Sequence, residues 1–402
     1  MDYQPEELLA KHRRQQARRI LAACCVVLLV LVAFVLRAFH VGRPTSESAP
    51  VSVSEPTPSL YSEVDFAFGR GYIGAGWAVY FNEPDASVDQ ADYADGIDSA
   101  LASAIDAASD TLDIAAFELN SDPIHNAIAQ AADRGVTVRI VADDDHGLHD
   151  ERNPHLRDLA QSGIDVRDDS RSGLLHNKFA IIDRKSVWTG SWNFTVNGTY
   201  RNNNNILMLE NADAVYAFQA EFDEKYERAE FGVTSSDDGI IQFDHAGGDI
   251  SIIFAPETDE ISALIAEVEG AAQSIRFMTF VFSLDELAEA MLSQAASRSV
   301  TLEGVFENRN SLASWSQLPA LHCAGAAVRQ DGNRYVLHHK VIIIDDHTVI
   351  TGSFNFSRSA AKNNDENIVI VRNAAIAELY LQEWQRIWDS AEELAPGEVD
   401  CD

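Results

Sequence analysis

The chain has 402 residues, enough for two ordinary domains or one large one, and 46% of them are apolar, which excludes a disordered chain. Its net charge of −33 comes from 30 basic and 63 acidic residues. A surface this acidic does not attract polyanions over long range, which disfavours nucleic acid as a partner. Such a surface suits a salty habitat, where its self-repulsion is screened, or reflects compositional drift.

The first 43 residues reverse the balance, with seven basic residues (Lys11, Arg13, Arg14, Arg18, Arg19, Arg37, Arg43) against Asp2, Glu6 and Glu7. Residues 1–19 read as a basic cytoplasmic segment and residues 20–39 as a transmembrane anchor. Ile20 to Leu36 carries no charge, and Ala38 and Phe39 extend the run if Arg37 snorkels. The positive-inside rule then places the rest of the chain outside. A cleaved signal peptide is the competing reading, but its charged leader would be long and no small-x-small site follows. Residues 40–60, rich in Ser and Pro, read as a flexible linker. Cys24 and Cys25 lie in the apolar run, whereas a disulfide between the distant Cys323 and Cys401 is left open by the sequence.

Past residue 60 the chain repeats itself. Residues 104–143 line up with 267–307, each reading as helix, buried strand, loop, helix, buried strand. This alternation implies an α/β sandwich, written once as a lobe over 61–232 and again over 233–396. Such halves form an internal pseudo-dimer whose axis brings equivalent residues face to face, so a monomer suffices. Each half ends in an aromatic stripe, Phe218, Phe222 and Tyr226 in one and Tyr380, Trp384 and Trp388 in the other, which reads as a helix face packed into the core. GRGYIG at 69–74 fits a dinucleotide fingerprint but lacks the βαβ unit, and ADDDHG at 142–147 reads as an acidic loop in preference to a metal site.

The chemistry lies in a motif that occurs twice. His176, Lys178, Asp183, Gly190, Ser191 and Asn193 recur with identical spacing as His338, Lys340, Asp345, Gly352, Ser353 and Asn355, each shifted by 162. Six fixed positions match by chance in about one start in 10⁸. Side chains two apart on a strand share a face, so His176 and Lys178 project together, as do Ser191 and Asn193. Asp183 and Asp345 face the other way and read as supports for strands or loops. Doubled across an axis, the Lys, Ser and Asn residues surround a phosphate and the two His flank its phosphorus. One His attacks, the other protonates the leaving oxygen, and water then breaks the phosphohistidine. The Lys pair supplies the positive charge, so no metal or other cofactor is required.

On these residues the chain resembles the phospholipase D superfamily, whose HxKxxxxDxxxxxxGSxN signature appears twice per active site. The resemblance covers about residues 70–395. It implies two α/β/α sandwich lobes, a covalent phosphohistidine, and metal-free phosphodiester cleavage. The family pattern also has a carboxylate bonded to the His ring. Glu366 stands at that place, 28 residues after His338, whereas its counterpart in the first half is Asn204. Reading each within its own half makes His338 the more readily protonated ring, hence the general acid, and His176 the nucleophile.

Family members cut phospholipid head groups, make cardiolipin or cut nucleic acid. The anchor and outward topology favour a membrane phospholipid substrate. A nuclease would need a basic rim, for which Arg139, Arg171, Arg201 and Arg334 are the candidates. A cardiolipin synthase-like transferase would replace water by a lipid alcohol.

Overall fold

The computed structural model describes residues 60–401 except 152 and 153. The expected basic segment, anchor and linker up to residue 59 lie outside the described residues. Among the described residues, no helix is long and apolar enough to cross a membrane.

Two nine-stranded mixed sheets form the frame. Named by their first residues, the strands of one run in the order Tyr61, Gly69, Trp77, Asn205, Ser186, Lys178, Thr111, Thr137, Asp165. Those of the other run Ile241, Gly248, Glu366, Thr348, Lys340, Ser274, Thr301, Ala327, Glu392. From Gly69 and from Ile241 onward the two orders correspond strand for strand through Asp165 and Ala327. The helix–strand units predicted from the repeat give the parallel part of each sheet, Thr111–Ala116 beside Thr137–Ala142 and Ser274–Thr279 beside Thr301–Phe306. The rest of each sheet is antiparallel, built from hairpins. GRGYIG is one such hairpin strand, between Tyr61–Phe66 and Trp77–Asn82.

Both faces of each sheet are covered, as their continuous apolar runs require. Helices Asp98–Asp106 and Asp122–Asp133 pack on one outer face around Leu101, Ile124 and Ile128. Helices Glu260–Glu269 and Asp285–Arg298 do the same for the second sheet through Leu264, Leu287 and Met291. A central core lies between the sheets and holds the helices Ala212–Asp223 and Ala374–Ser390. Phe218, Phe222, Tyr226, Tyr380 and Trp384 are all buried there, and Trp388 packs at its edge. The two helices begin alike: Asn211 accepts from the N–H groups of Asp213 and Ala214, and Asn373 from those of Ala375 and Ile376. Each cap satisfies backbone donors that the first helical turn leaves free.

The motif aspartates close the hairpins behind the site. Asp183 and Arg184 have φ of 51° and 52°, and Asp345 and Asp346 have 53° and 55°. Two consecutive left-handed residues make the tight turn that fits a strand's twist. The Asp183 carboxylate accepts from the backbone N–H of Ser109, Asp110 and Thr111, and that of Asp345 from Ala272, Gln273 and Ser274. Each aspartate therefore ties the motif hairpin to the start of the neighbouring strand. Burial pushes both carboxyls up, but these N–H donors outweigh it and hold them below the usual carboxylate range.

Replacing Asp183 by Asn is expected to cost about 1–3 kcal/mol near neutral pH. A carboxyl whose folded pKa lies below its unfolded value contributes fully above the unfolded value, and loses that contribution as pH falls through the folded one. Urea midpoints measured against pH should therefore be lower for Asp183→Asn and fall less steeply in acid; coincident curves would contradict this role.

Candidate active site

The two His-x-Lys segments meet at the centre because each is pinned to the opposite lobe. The His176 N–H donates to the carbonyl of Asp365 at 3.0 Å, and the His338 N–H to that of Asn203 at 2.9 Å. Leu175 forms a parallel bridge to Asp365, while Val336 and Leu337 pair with Asn202 and Asn203. The residues next along the chain from these anchors are Glu366 and Asn204. The anchoring therefore delivers each one to the histidine of the other lobe.

This overturns the expectation that Glu366 serves His338. The Nδ1–H of His176 donates to Glu366 Oε2 at 2.8 Å. The Nδ1 of His338 lies 2.9 Å from Asn204 Oδ1 and 3.1 Å from the Ser191 carbonyl. Both are acceptors, so His338 also carries its proton on Nδ1. Asn204 Nδ2 donates to the Gly198 carbonyl at 3.0 Å, which fixes the orientation of that amide. In both rings Nε2 has no hydrogen-bond partner among the described residues. The carboxylate-backed ring is thus His176, the reverse of the assignment made within each half.

The serines also depart from expectation. Ser191 Oγ donates to Asn204 Oδ1 at 2.9 Å, and Ser353 Oγ to Glu366 Oε2 at 2.6 Å. Both serines are fully buried. They hold the groups behind the rings and do not reach into the phosphate cradle. The strand alternation fails because Ser186–Gly190 and Thr348–Gly352 both end at the glycine. Gly190 and Gly352 have φ of 150° and 136°, and a Cβ there would come within 2.3 and 2.2 Å of the Asn205 and Asn367 carbonyls. Glycine lets the chain turn out of the strand against its neighbour.

Lys178 and Lys340 are each 1% exposed, although they are ammonium groups. Their Nζ atoms donate to the carbonyls of His176 and His338. Each Nζ also stands 5.0 Å from an aromatic centroid, Phe117 for Lys178 and Phe280 for Lys340. The same two rings pack 4.9 Å from His176 and His338. Burial lowers Lys178 to about 8, with Glu366, Glu118 and Asp143 opposing it. Lys340 is driven well below its ordinary value by burial and by Lys178. His176 falls to about 4 through burial, against the pull of Glu366, and His338 falls well below the usual histidine value through burial and then Lys340. Burial alone would push Glu366 up, but His176 and Lys178 hold it below the carboxylate range. The cluster is a buried, cationic centre whose lysines and histidines repel one another, with Glu366 the carboxylate that acts on both lysines, and a phosphodiester anion would relieve that repulsion.

Asn193 donates from Nδ2 to Glu118 Oε2 at 2.9 Å, while the buried Oδ1 atoms of Asn193 and Asn355 have no protein partner. Asp143 in the acidic loop accepts from the N–H of His146 and, at 3.1 Å, from that of Leu175, the residue before His176. Asp143, Asp144 and Asp169 lie close enough to hold a cation, but Asp145 is not among them. Arg171 stands 3.3 Å from Asp169, so a cation already faces that group.

The sequence reading missed the partners that lock the two lobes. Asn205 Oδ1 accepts from Thr351 Oγ1 at 2.8 Å, and Asn367 Nδ2 donates to Thr189 Oγ1 at 2.9 Å, an exchange repeated across the axis. His339 is buried between Asn205 and Glu383, behind the site. Of the four arginines that a nuclease's basic rim would draw on, the first two are committed to carboxylates. Arg139 is bound to Asp113, Asp223 and Glu227, and Arg171 to Asp365. Arg201 is held by Tyr93, Asn197 and Gln90.

Comparison with known proteins bears on the family and the fold. The family described as "Cardiolipin synthase, PLD-like domain" matches twice, at residues 101–226 and 264–388. A mitochondrial cardiolipin hydrolase of Xenopus laevis is 36% identical over 135 residues, 33% of this chain and 64% of that protein. A phospholipase D of Rickettsia bellii is 35% identical over 135 residues, 34% of this chain and 67% of that protein. Each match is thus about one lobe long and leaves roughly a third of the relative uncovered. The crystal structure of a phosphatidylserine synthase from Haemophilus influenzae shares the fold at TM-score 0.53 and 12% identity, covering 74% of this chain and 85% of that one.

Proposed function

The chain belongs to the phospholipase D superfamily, and from that premise we propose that it is a phosphodiesterase that hydrolyses phospholipid head-group phosphodiester bonds through a covalent phosphohistidine, with no metal in the chemistry. One observation carries the reading: Glu366 of one lobe backs His176 of the other, so a single active centre needs both halves.

The phosphate occupies the cradle of Lys178, Lys340, Asn193 and Asn355. His176 Nε2 attacks phosphorus, and the bond to the head-group oxygen breaks. As the N–P bond forms the ring gains positive charge, which Glu366 stabilises through Nδ1–H. The charge of the bound diester raises the basicity of His338, whose Nε2 takes a proton from solvent, and His338 passes that proton to the leaving oxygen. Asn204 brings no charge to retain that proton, so the ring is a strong acid when protonated and a neutral base afterwards. Water then gives a proton to His338 and attacks phosphorus, and the P–N electrons return to His176. The nucleophile assigned from the sequence is kept, for the opposite reason.

A lipid substrate is supported by the named activities of the relatives and by the acidic exterior, whose Arg139 and Arg171 are committed to carboxylates. Residues 20–39 anchor the enzyme with the lobes outside the cytoplasm. The disulfide between Cys323 and Cys401 fits that placement, because such bonds persist in oxidising compartments. The enzyme acts as a monomer. The family's description also names cardiolipin synthase, which favours transfer to a lipid alcohol as the second reading.

The test incubates the full chain with phosphatidylcholine, phosphatidylglycerol, cardiolipin or single-stranded DNA, in EDTA and at low and high salt. Phosphatidic acid should form from a phospholipid, and His176→Ala should form none. New cardiolipin from phosphatidylglycerol would favour transfer, whereas turnover of DNA alone, or none at all, would end the lipid reading.

A further inference from the structure

The two halves of the cradle differ at one side chain that the motif does not include. Strand pairing sets Ala116 opposite Lys178 and Thr279 opposite Lys340. Two residues beyond these stand Glu118 and Val281, so one lysine has a carboxylate at the equivalent place and the other an isopropyl group. Glu118 is partly buried, and its Oε2 accepts from Asn193 Nδ2 at 2.9 Å. Among the described residues no acceptor is hydrogen-bonded to the Asn355 amide, and the position equivalent to Glu118 is Val281.

We propose that Glu118 is a positioning residue that breaks the symmetry of the phosphate cradle: it fixes the orientation of the Asn193 amide and gives Lys178 an anionic neighbour that Lys340 does not have. This role rests on the chain being a phosphodiesterase. A carboxylate can only accept, so the Asn193 nitrogen must face it, and the amide cannot turn over. Glu118 is itself pushed up by burial, opposed by Lys178, Asn193 and His146, with Asp150 adding repulsion. The charged groups acting on Lys178 are Glu366, Glu118 and Asp143, and the ammonium of Lys340 faces it across the cradle. Removing Glu118 therefore takes away one of the three carboxylates that oppose the lowering of Lys178 by burial.

The test compares the full-length protein with Glu118→Val, Glu118→Gln and Val281→Glu. The first readout is binding of tungstate, a phosphate mimic that stays a dianion from mildly acidic to alkaline pH, followed by calorimetry. In mild acid, where Lys178 is charged in both, Glu118→Val should bind it at least as well as wild type because a repelling carboxylate is gone. In mild alkali it should bind about tenfold more weakly, because its lysine loses the proton about one pH unit earlier. Glu118→Gln should show the same crossing, and Val281→Glu should extend binding to higher pH. Affinity curves that run parallel at every pH would overturn the proposal and leave Glu118 a structural residue. The second readout is kcat for the substrate found above, expected to fall more than KM changes in Glu118→Val, with partial recovery in Glu118→Gln. Loss of turnover with parallel tungstate curves rejects the positioning role alone, whereas an inactive wild type with crossing curves rejects the phosphodiesterase reading alone.

Discussion

Replacing His176 by alanine should lower kcat for phosphodiester hydrolysis by about 10⁴-fold or more, while KM changes by a few-fold at most. The two effects separate because the ring and the cradle are different groups. Phosphate binding draws on Lys178 and Lys340, whose Nζ atoms are held by the backbone carbonyls of residues 176 and 338 and by the faces of Phe117 and Phe280. Those contacts do not need the imidazole. The covalent bond does, and the Ser353 hydroxyl that also touches Glu366 is fully buried behind the ring. Steady-state kinetics on a single phospholipid, with the fold checked by thermal unfolding, measures the split. A fall confined to KM would mean that the ring only binds, and a loss under tenfold would mean that water attacks directly.

The second large effect is expected at Glu366. Glu366→Gln should cost about 10²–10⁴-fold in kcat, because the group must do two things that an amide does only in part. It holds the Nδ1–H tautomer of His176 at 2.8 Å, and it stabilises the charge that appears when Nε2 becomes bonded to phosphorus. The glutamine carbonyl can accept the proton but brings no charge. Its nitrogen would face Nδ1 in the alternative orientation and force the proton to Nε2, which removes the nucleophile. Glu366 is also the buried anion that opposes the lowering of both Lys178 and Lys340. Without it both lysines lose their protons at lower pH, so the activity of Glu366→Gln should also decline earlier on the alkaline side. Rapid-mixing measurement of the first turnover should find formation of the phosphoenzyme slowed more than its hydrolysis. An unaltered first step would place Glu366 outside the chemistry.

Much of this was legible in the sequence, and the reason is the repeat. A shift of 162 carries Lys178 to Lys340, Asn211 to Asn373 and Phe218 to Tyr380, so a single reading of strand, turn and helix was confirmed by its copy. The two-lobed α/β architecture and the buried aromatic stripe followed from periodicity alone. The pairing of Glu366 was not legible. It depends on which lobe's backbone lies beside Leu175, and only the crossing of the chains at Asp365 decides that. The serines were misread for a local reason: spacing by two applies within a strand, and both strands end one residue earlier, at Gly190 and Gly352. Phe117, Phe280 and Glu118 were missed because they belong to strand ends far from the motif in sequence. The signal was available, since residues just past a strand that pairs with the motif lysine must border the cradle.

The central claim is that both halves build one active centre with His176 as its nucleophile. Acid or base quenching during turnover, followed by mass spectrometry of the peptides that carry His176 and His338, tests it most directly. The account predicts a phosphoryl adduct on His176 in the wild type, at no more than one per chain, and its accumulation when His338→Asn stalls the hydrolytic step. An adduct on His338, or adducts on both residues of one chain, would contradict it.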